Sequence, residues 1–294
     1  MEIAADVREV LKAESKLGEG VLWDAERGVV WFVDIKQHRL WHYDPQTGSN
    51  AMAEAPGQIG WALPAEGGVL LCGLKDGLYT FDPATQAFAK LMDVPGEPAG
   101  NRLNDACTDP WGRVWFGSMD DAEQAGSGRF YVFDRGEIRP AGPSGISITN
   151  GPAVSGSGDR IFFTDTLGQK IMVADLSPGG VGEARPFVDT GVLFPDAYPD
   201  GPVVDAEDHL WTGLYLGGRV ARFTPDGVLA ATVAMPARDI TKMALGGADL
   251  KTAYVTTATK NMEQADYNDF PAAGSLLAFD SPVAGVVPTR VRLA

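Results

Sequence analysis

The 294-residue chain reads as a single all-β domain, a six-bladed β-propeller, on three observations. Its 36 glycines and 20 prolines break it into short apolar runs with no long helical stretch. One phrase recurs six times: an apolar strand, a turn carrying Asp and Gly, then a strongly apolar strand. Counted through Trp31, Leu70, Trp115, Phe162, Trp211 and Tyr254, the copies stand 39, 45, 47, 49 and 43 residues apart. A sandwich explains neither the number of copies nor their even spacing. A propeller needs both, at roughly 40 to 50 residues and four strands per blade.

Taken in order, residues 1–16 carry a weak helix-like pattern and are expected to close onto the propeller as an N-terminal segment of the one domain, 1–294. The paired strands follow at 21–34, 62–73, 106–118, 153–165, 203–213 and 243–257. A third strand trails each pair and ends near Tyr43, Phe81, Phe133, Ala174, Phe223 and Phe279, and the link to the next copy supplies a fourth. Trp31, Trp115 and Trp211 share one strand register, so they read as core packed between blades rather than as a ligand cage.

Composition removes several function classes. The formal charge of −15 opposes the phosphate neutralisation that nucleic-acid binding requires, and it opposes docking on anionic lipid. No apolar stretch approaches the ~18 residues of a membrane span, and the charged N-terminus has no apolar leader region. Two cysteines, Cys72 and Cys107, are too few for a disulfide framework or a thiolate zinc site. The expectation is a cytoplasmic protein acting on something small, and a monomer, because a propeller closes its own core.

The repeats also point to a site. Each copy can be anchored on the residue that ends its first strand: Asp24, Pro64, Asp109, Ser155, Asp205 and Gly246. Five residues earlier stand Glu19, Ile59, Asn104, Asn150, Asp200 and Thr241, where the chain enters the strand lining the channel. Six such positions should form a ring at one mouth. Glu19, Asn150 and Asp200 offer oxygen ligands only, which suits a hard divalent cation. Without a cation, converging carboxylates repel and one tends to protonate. His38, His42 and His209 lack ligand spacing, and no serine-hydrolase elbow, phosphate loop or dinucleotide fingerprint is present.

The segments LGEGVLWD (17–24), NRLNDACTDPWGRVWFGSM (101–119), TNGPAVSGSGDRIFFTDT (149–166) and YPDGPVVDAEDHLW (198–211) closely resemble the senescence-marker-protein/gluconolactonase/regucalcin family, from about residue 15 to the end. Their order is similar to that in bacterial sugar-acid lactonases of the gluconolactonase and xylonolactonase type. The resemblance implies a propeller with one divalent cation (Ca, Zn, Fe, Mn or Mg) in the channel. It also implies hydrolysis of a small sugar-derived aldonolactone, of the pentono or hexono type, to the free acid. Carried over, the metal ligands fall on Glu19, Asn150 and Asp200, with Asp200 also the catalytic base. Arg102, Asn104 and Asp121 are the expected substrate contacts. Asp121 is chosen among Asp120, Asp121 and Glu123, because GSM here is followed by DDAEQ rather than by the glutamate of some relatives. A calcium-dependent phosphotriesterase or other esterase, and a non-catalytic calcium-binding propeller, are the alternative readings.

Overall fold

The computed structural model describes all 294 residues. It contains 25 strands against two four-residue helices and one short 3₁₀ turn, and the strands form a β-propeller. The six channel-lining strands are Gly18–Asp24, Ile59–Pro64, Asn101–Thr108, Thr149–Val154, Tyr198–Val204 and Asp239–Gly246. Each packs against the next, and the last packs against the first, so the six close a ring.

Four of these strands open separate antiparallel sheets of four or five strands. The other eight strands of the molecule are hydrogen-bonded as one sheet. Within it, two four-stranded antiparallel runs meet through one parallel pairing, Gly201 with Lys242. The sheets therefore number five, four of them single blades, rather than six. The N-terminal segment departs from its helix-like pattern. Arg8–Leu11 is a strand and pairs antiparallel with Leu276–Asp280, because an unpaired sheet edge is a stronger demand than a weak periodicity.

Every channel strand carries a register shift at the same place. The shifts fall between Glu19 and Leu22, Ile59 and Trp61, Leu103 and Ala106, Asn150 and Ala153, Pro199 and Pro202, and Ile240 and Met243. A β-bulge bends its strand and re-aims the side chains beside it. These six bulges lie at the ring positions counted from the sequence.

The core lies between the sheets. Trp31, Trp115 and Trp211 are buried. Each pairs with the residue two before its turn aspartate, namely Leu22, Cys107 and Val203. The repeated aspartates are structural. Asp109 accepts from the amides of Trp111 and Arg113 and from the Trp115 indole, the last at 2.8 Å. Asp205 does the same for Glu207, His209 and the Trp211 indole, the last at 2.9 Å. In these two copies one carboxylate thus closes a turn and satisfies a buried indole N–H.

Candidate metal and active site

One mouth of the channel opens into a cavity of about 220 Å³. Of the six ring residues, Glu19, Asn104, Asn150 and Asp200 line it, with Arg102 beside them, and all five are buried. Ile59 and Thr241 do not line it. Ile59 belongs to the apolar core, and the Thr241 hydroxyl is tied to the Gly18 carbonyl at 2.6 Å. The expected polar ring is therefore a four-residue arc.

Glu19 and Asp200 are poorly satisfied for buried carboxylates. Outside their mutual contact, each accepts a single hydrogen bond, from the amide of its own following glycine, at 3.1 and 2.9 Å. Burial pushes the Glu19 carboxyl up to about 7, and the neighbouring Asp105 charge adds to the shift. Burial also raises Asp200 well above the carboxylate range, with Glu19 and then Asp105 as further causes and a hydrogen bond that protonated Asp200 donates to Glu19 acting in the same direction. Two buried, under-coordinated carboxyls and an adjacent amide oxygen fit a hard divalent cation, since oxygen ligands and concentrated negative charge are what such an ion requires.

A second tier lies directly below. The residue after each ring position is glycine in four strands, at Gly20, Gly60, Gly151 and Gly201, and it is Asp105 or Lys242 in the other two. Those two pair across the channel, with Lys242 Nζ 2.6 Å from both Asp105 oxygens. Asp105 also accepts from the Gly151 amide at 2.9 Å. Gly201 gives this pair its room: a Cβ there would lie 2.7 Å from Lys242 Cγ. Lys242 neutralises Asp105, and its charge opposes the upward shift of Glu19.

The substrate-side expectations divide. Arg102 reaches the cavity and donates through Nη1 to Asn104 Oδ1 and to the Leu103 carbonyl. Burial pulls its pKa down while Asp121 opposes this, and a guanidinium remains cationic. Asn104 lines the cavity with both of its N–H groups in use, to the Thr149 carbonyl at 2.6 Å and Asn150 Oδ1 at 2.9 Å. Asp121 is not a lining residue, which corrects the sequence expectation. It stands behind Arg102 at 3.3 Å and is gripped by Lys36 at 2.7 Å, Lys75 at 2.9 Å and Gln58 at 2.8 Å. Burial alone would raise the Asp121 carboxyl, but these donors hold it well below the usual range. The acid of this turn that does line the cavity is Glu123, paired with Lys260 from the opposite side of the mouth. Thr166, Tyr198 and Tyr215 also line the cavity and were not singled out from the sequence.

Residues 17–259 match the family described as SMP-30/Gluconolactonase/LRE-like region, a span that begins at the first channel strand and ends after the last. The chain belongs to this family. Among its relatives, an L-arabinolactonase of Azospirillum brasilense is 33% identical, covering 93% of this chain and 91% of that protein. A 6-deoxy-6-sulfogluconolactonase of Pseudomonas putida is 28% identical over 94% of this chain and 95% of its own length. The crystal structure of regucalcin, a calcium-binding protein from Agrobacterium tumefaciens, superposes with a TM-score of 0.93 at 27% identity, covering 98% of each chain. Family and cavity coincide, because the four residues of the arc and Arg102 all fall inside the matched span.

Proposed function

We propose that this protein hydrolyses a sugar-derived aldonolactone to the free sugar acid, with one divalent cation held by Glu19, Asn150 and Asp200. The observation that carries the reading is the Glu19–Asp200 carboxyl pair, buried beside Asn150 and a cavity-facing Arg102, in a chain whose relatives are named sugar lactonases. We also read the eight-stranded sheet as two blades, which makes a six-bladed propeller, since its two runs share one pairing.

When bound, the cation supplies Lewis-acid polarisation of the lactone carbonyl and keeps both carboxyls ionised. Asp200 takes a proton from the attacking water as a new C–O bond forms to the carbonyl carbon. The bond to the ring oxygen then breaks, and that oxygen leaves as a hydroxyl carrying the proton from Asp200. The second proton of the water is released when the product acid ionises. Arg102, held by Asn104 and by the Asp121 charge behind it, orients the oxygens of the substrate. The chain has no helix long and apolar enough to cross a membrane, and both cysteines are free and largely buried. A monomer working in the cytoplasm is part of the same proposal.

The test is lactone opening followed with a pH indicator, on metal-stripped protein with single cations restored. The substrates are gluconolactone, xylonolactone, arabinonolactone and an organophosphate ester. Cation-dependent opening of one lactone above the buffer rate is the expected result. Buffer rates on all lactones with bound cation would overturn the reading, and turnover of the phosphate ester alone would replace it with an esterase.

A further inference from the structure

Asn150 is the one neutral member of the proposed ligand set, and its amide has two nearly isosteric faces. Only the oxygen can bind a cation, and a flipped amide would aim two N–H groups at it. Something must therefore fix which face looks inward. The hydrogen bonds around it do so without ambiguity. The Thr166 hydroxyl, buried at the end of strand Arg160–Asp165, lies 2.9 Å from the Pro199 carbonyl, which can only accept. Its single proton is used there. Toward the Asn150 Nδ2 atom, also at 2.9 Å, the hydroxyl can therefore only accept.

The other end of the chain is equally fixed. Arg102 can only donate, and it donates to Asn104 Oδ1. That turns Asn104 Nδ2 toward Asn150 Oδ1, at 2.9 Å. One directed relay thus runs Arg102, Asn104, Asn150, Thr166, Pro199, with a donor-only group at its head and an acceptor-only group at its tail. Pro199 precedes Asp200, so the relay joins the backbone of one proposed ligand to the side chain of another.

We infer that Thr166 is a positioning residue for the cation site: its hydroxyl holds the Asn150 amide with the oxygen inward and ties that amide to the strand carrying Asp200. The inference rests on the ligand set proposed above. Outer partners of this kind set ligand orientation, and their loss typically costs roughly 10- to 100-fold in metal affinity.

The experiment is calorimetric titration of the metal-stripped full-length protein. Calcium, zinc and manganese are tested singly on the wild type, and the tightest binder is carried through the variants. Thr166→Val keeps the branched shape and removes the hydroxyl, and it should bind roughly 10- to 100-fold more weakly. Thr166→Ser keeps the hydroxyl and should stay near wild type. Lactone turnover by Thr166→Val should recover as cation is raised to saturation, which a purely structural lesion would not allow. If Asn150→Ala loses the cation while Thr166→Val binds like wild type, the Thr166 assignment is wrong and the ligand set stands. If Asn150→Ala binds like wild type, or no cation binds the wild type, the ligand set itself fails and the assignment falls with it. Should Thr166→Val not fold, Thr166→Ala against Thr166→Ser gives the same comparison, and equal affinities would overturn the role.

Discussion

Stripping the cation should expose the buried carboxyl pair as a pH-dependent weakness of the fold. The Glu19 carboxyl moves from an ordinary 4.5 in the unfolded chain to about 7 in the folded one, mainly because it is buried. Between those values the folded protein keeps a proton that the unfolded chain releases. The stabilising contribution is therefore full below pH 4.5 and is lost as the pH rises through about 7. At about 1.4 kcal/mol per tenfold change in proton affinity, Glu19 alone makes the stripped protein about 3 kcal/mol less stable near pH 8 than near pH 5. Asp200 shifts in the same direction and adds to the loss. A bound cation takes the proton's place, so saturating calcium should remove most of this loss, and calcium affinity should climb as the pH rises toward 7. The assay is urea unfolding at the two pH values, in chelator and in calcium. Glu19→Gln, which cannot titrate, reports the contribution of every other group. If stripped wild type and Glu19→Gln lost the same stability between the two pH values, Glu19 would not be the proton site and the reasoning would fail.

Three further outcomes follow from the same geometry. Lys242→Met strands the buried Asp105 charge and should cost about 3–5 kcal/mol in urea unfolding, most of it regained in the Lys242→Met/Asp105→Leu pair; a loss below about 1 kcal/mol would mean the ion pair is not what fills the channel. Asp200→Asn keeps an oxygen for the cation but cannot accept the water's proton, so kcat should fall about 100-fold or more even at saturating cation; retention of more than about a tenth of the rate removes Asp200 as the base. Arg102→Lys loses the planar fork that spans Asn104 and the cavity, so KM for the lactone should rise while kcat changes less; an unchanged KM would place the substrate away from Arg102.

The sequence carried the ring because a repeat makes equivalent positions countable, and Glu19, Asn104, Asn150 and Asp200 do meet in one cavity. It could not say which ring members would face inward. Thr241 is polar by type, yet its hydroxyl is taken up by the Gly18 carbonyl, a neighbour 223 residues away along the chain. Asp121 was misplaced because it follows the end of strand Val114–Asp120, where the alternation of side chains no longer holds. Two residues on, Glu123 has a φ of 60°, and it is this residue that reaches the cavity. The weak helical pattern at the N-terminus was overruled by an open edge on strand Leu276–Asp280.

The least legible feature is the Asp105–Lys242 pair, since nothing local to either residue signals a partner 137 positions away. Its consequence lies in the charge count. Asp105 is cancelled by Lys242, and the Arg102 guanidinium stands against Asp121, which Lys36 and Lys75 also contact. Glu123, the other acid lining the cavity, is paired with Lys260. The two carboxyls of the arc, Glu19 and Asp200, carry two negative charges when ionised, which one divalent cation neutralises. Had Asp105 been left without Lys242, a third buried carboxyl would have pushed the pair further toward protonation and set protons against the cation near neutral pH. The lysine below the ring is therefore part of the same electrostatic design as the acids in it. Exchanging it should change how the site divides between proton and metal as well as how firmly the channel is packed.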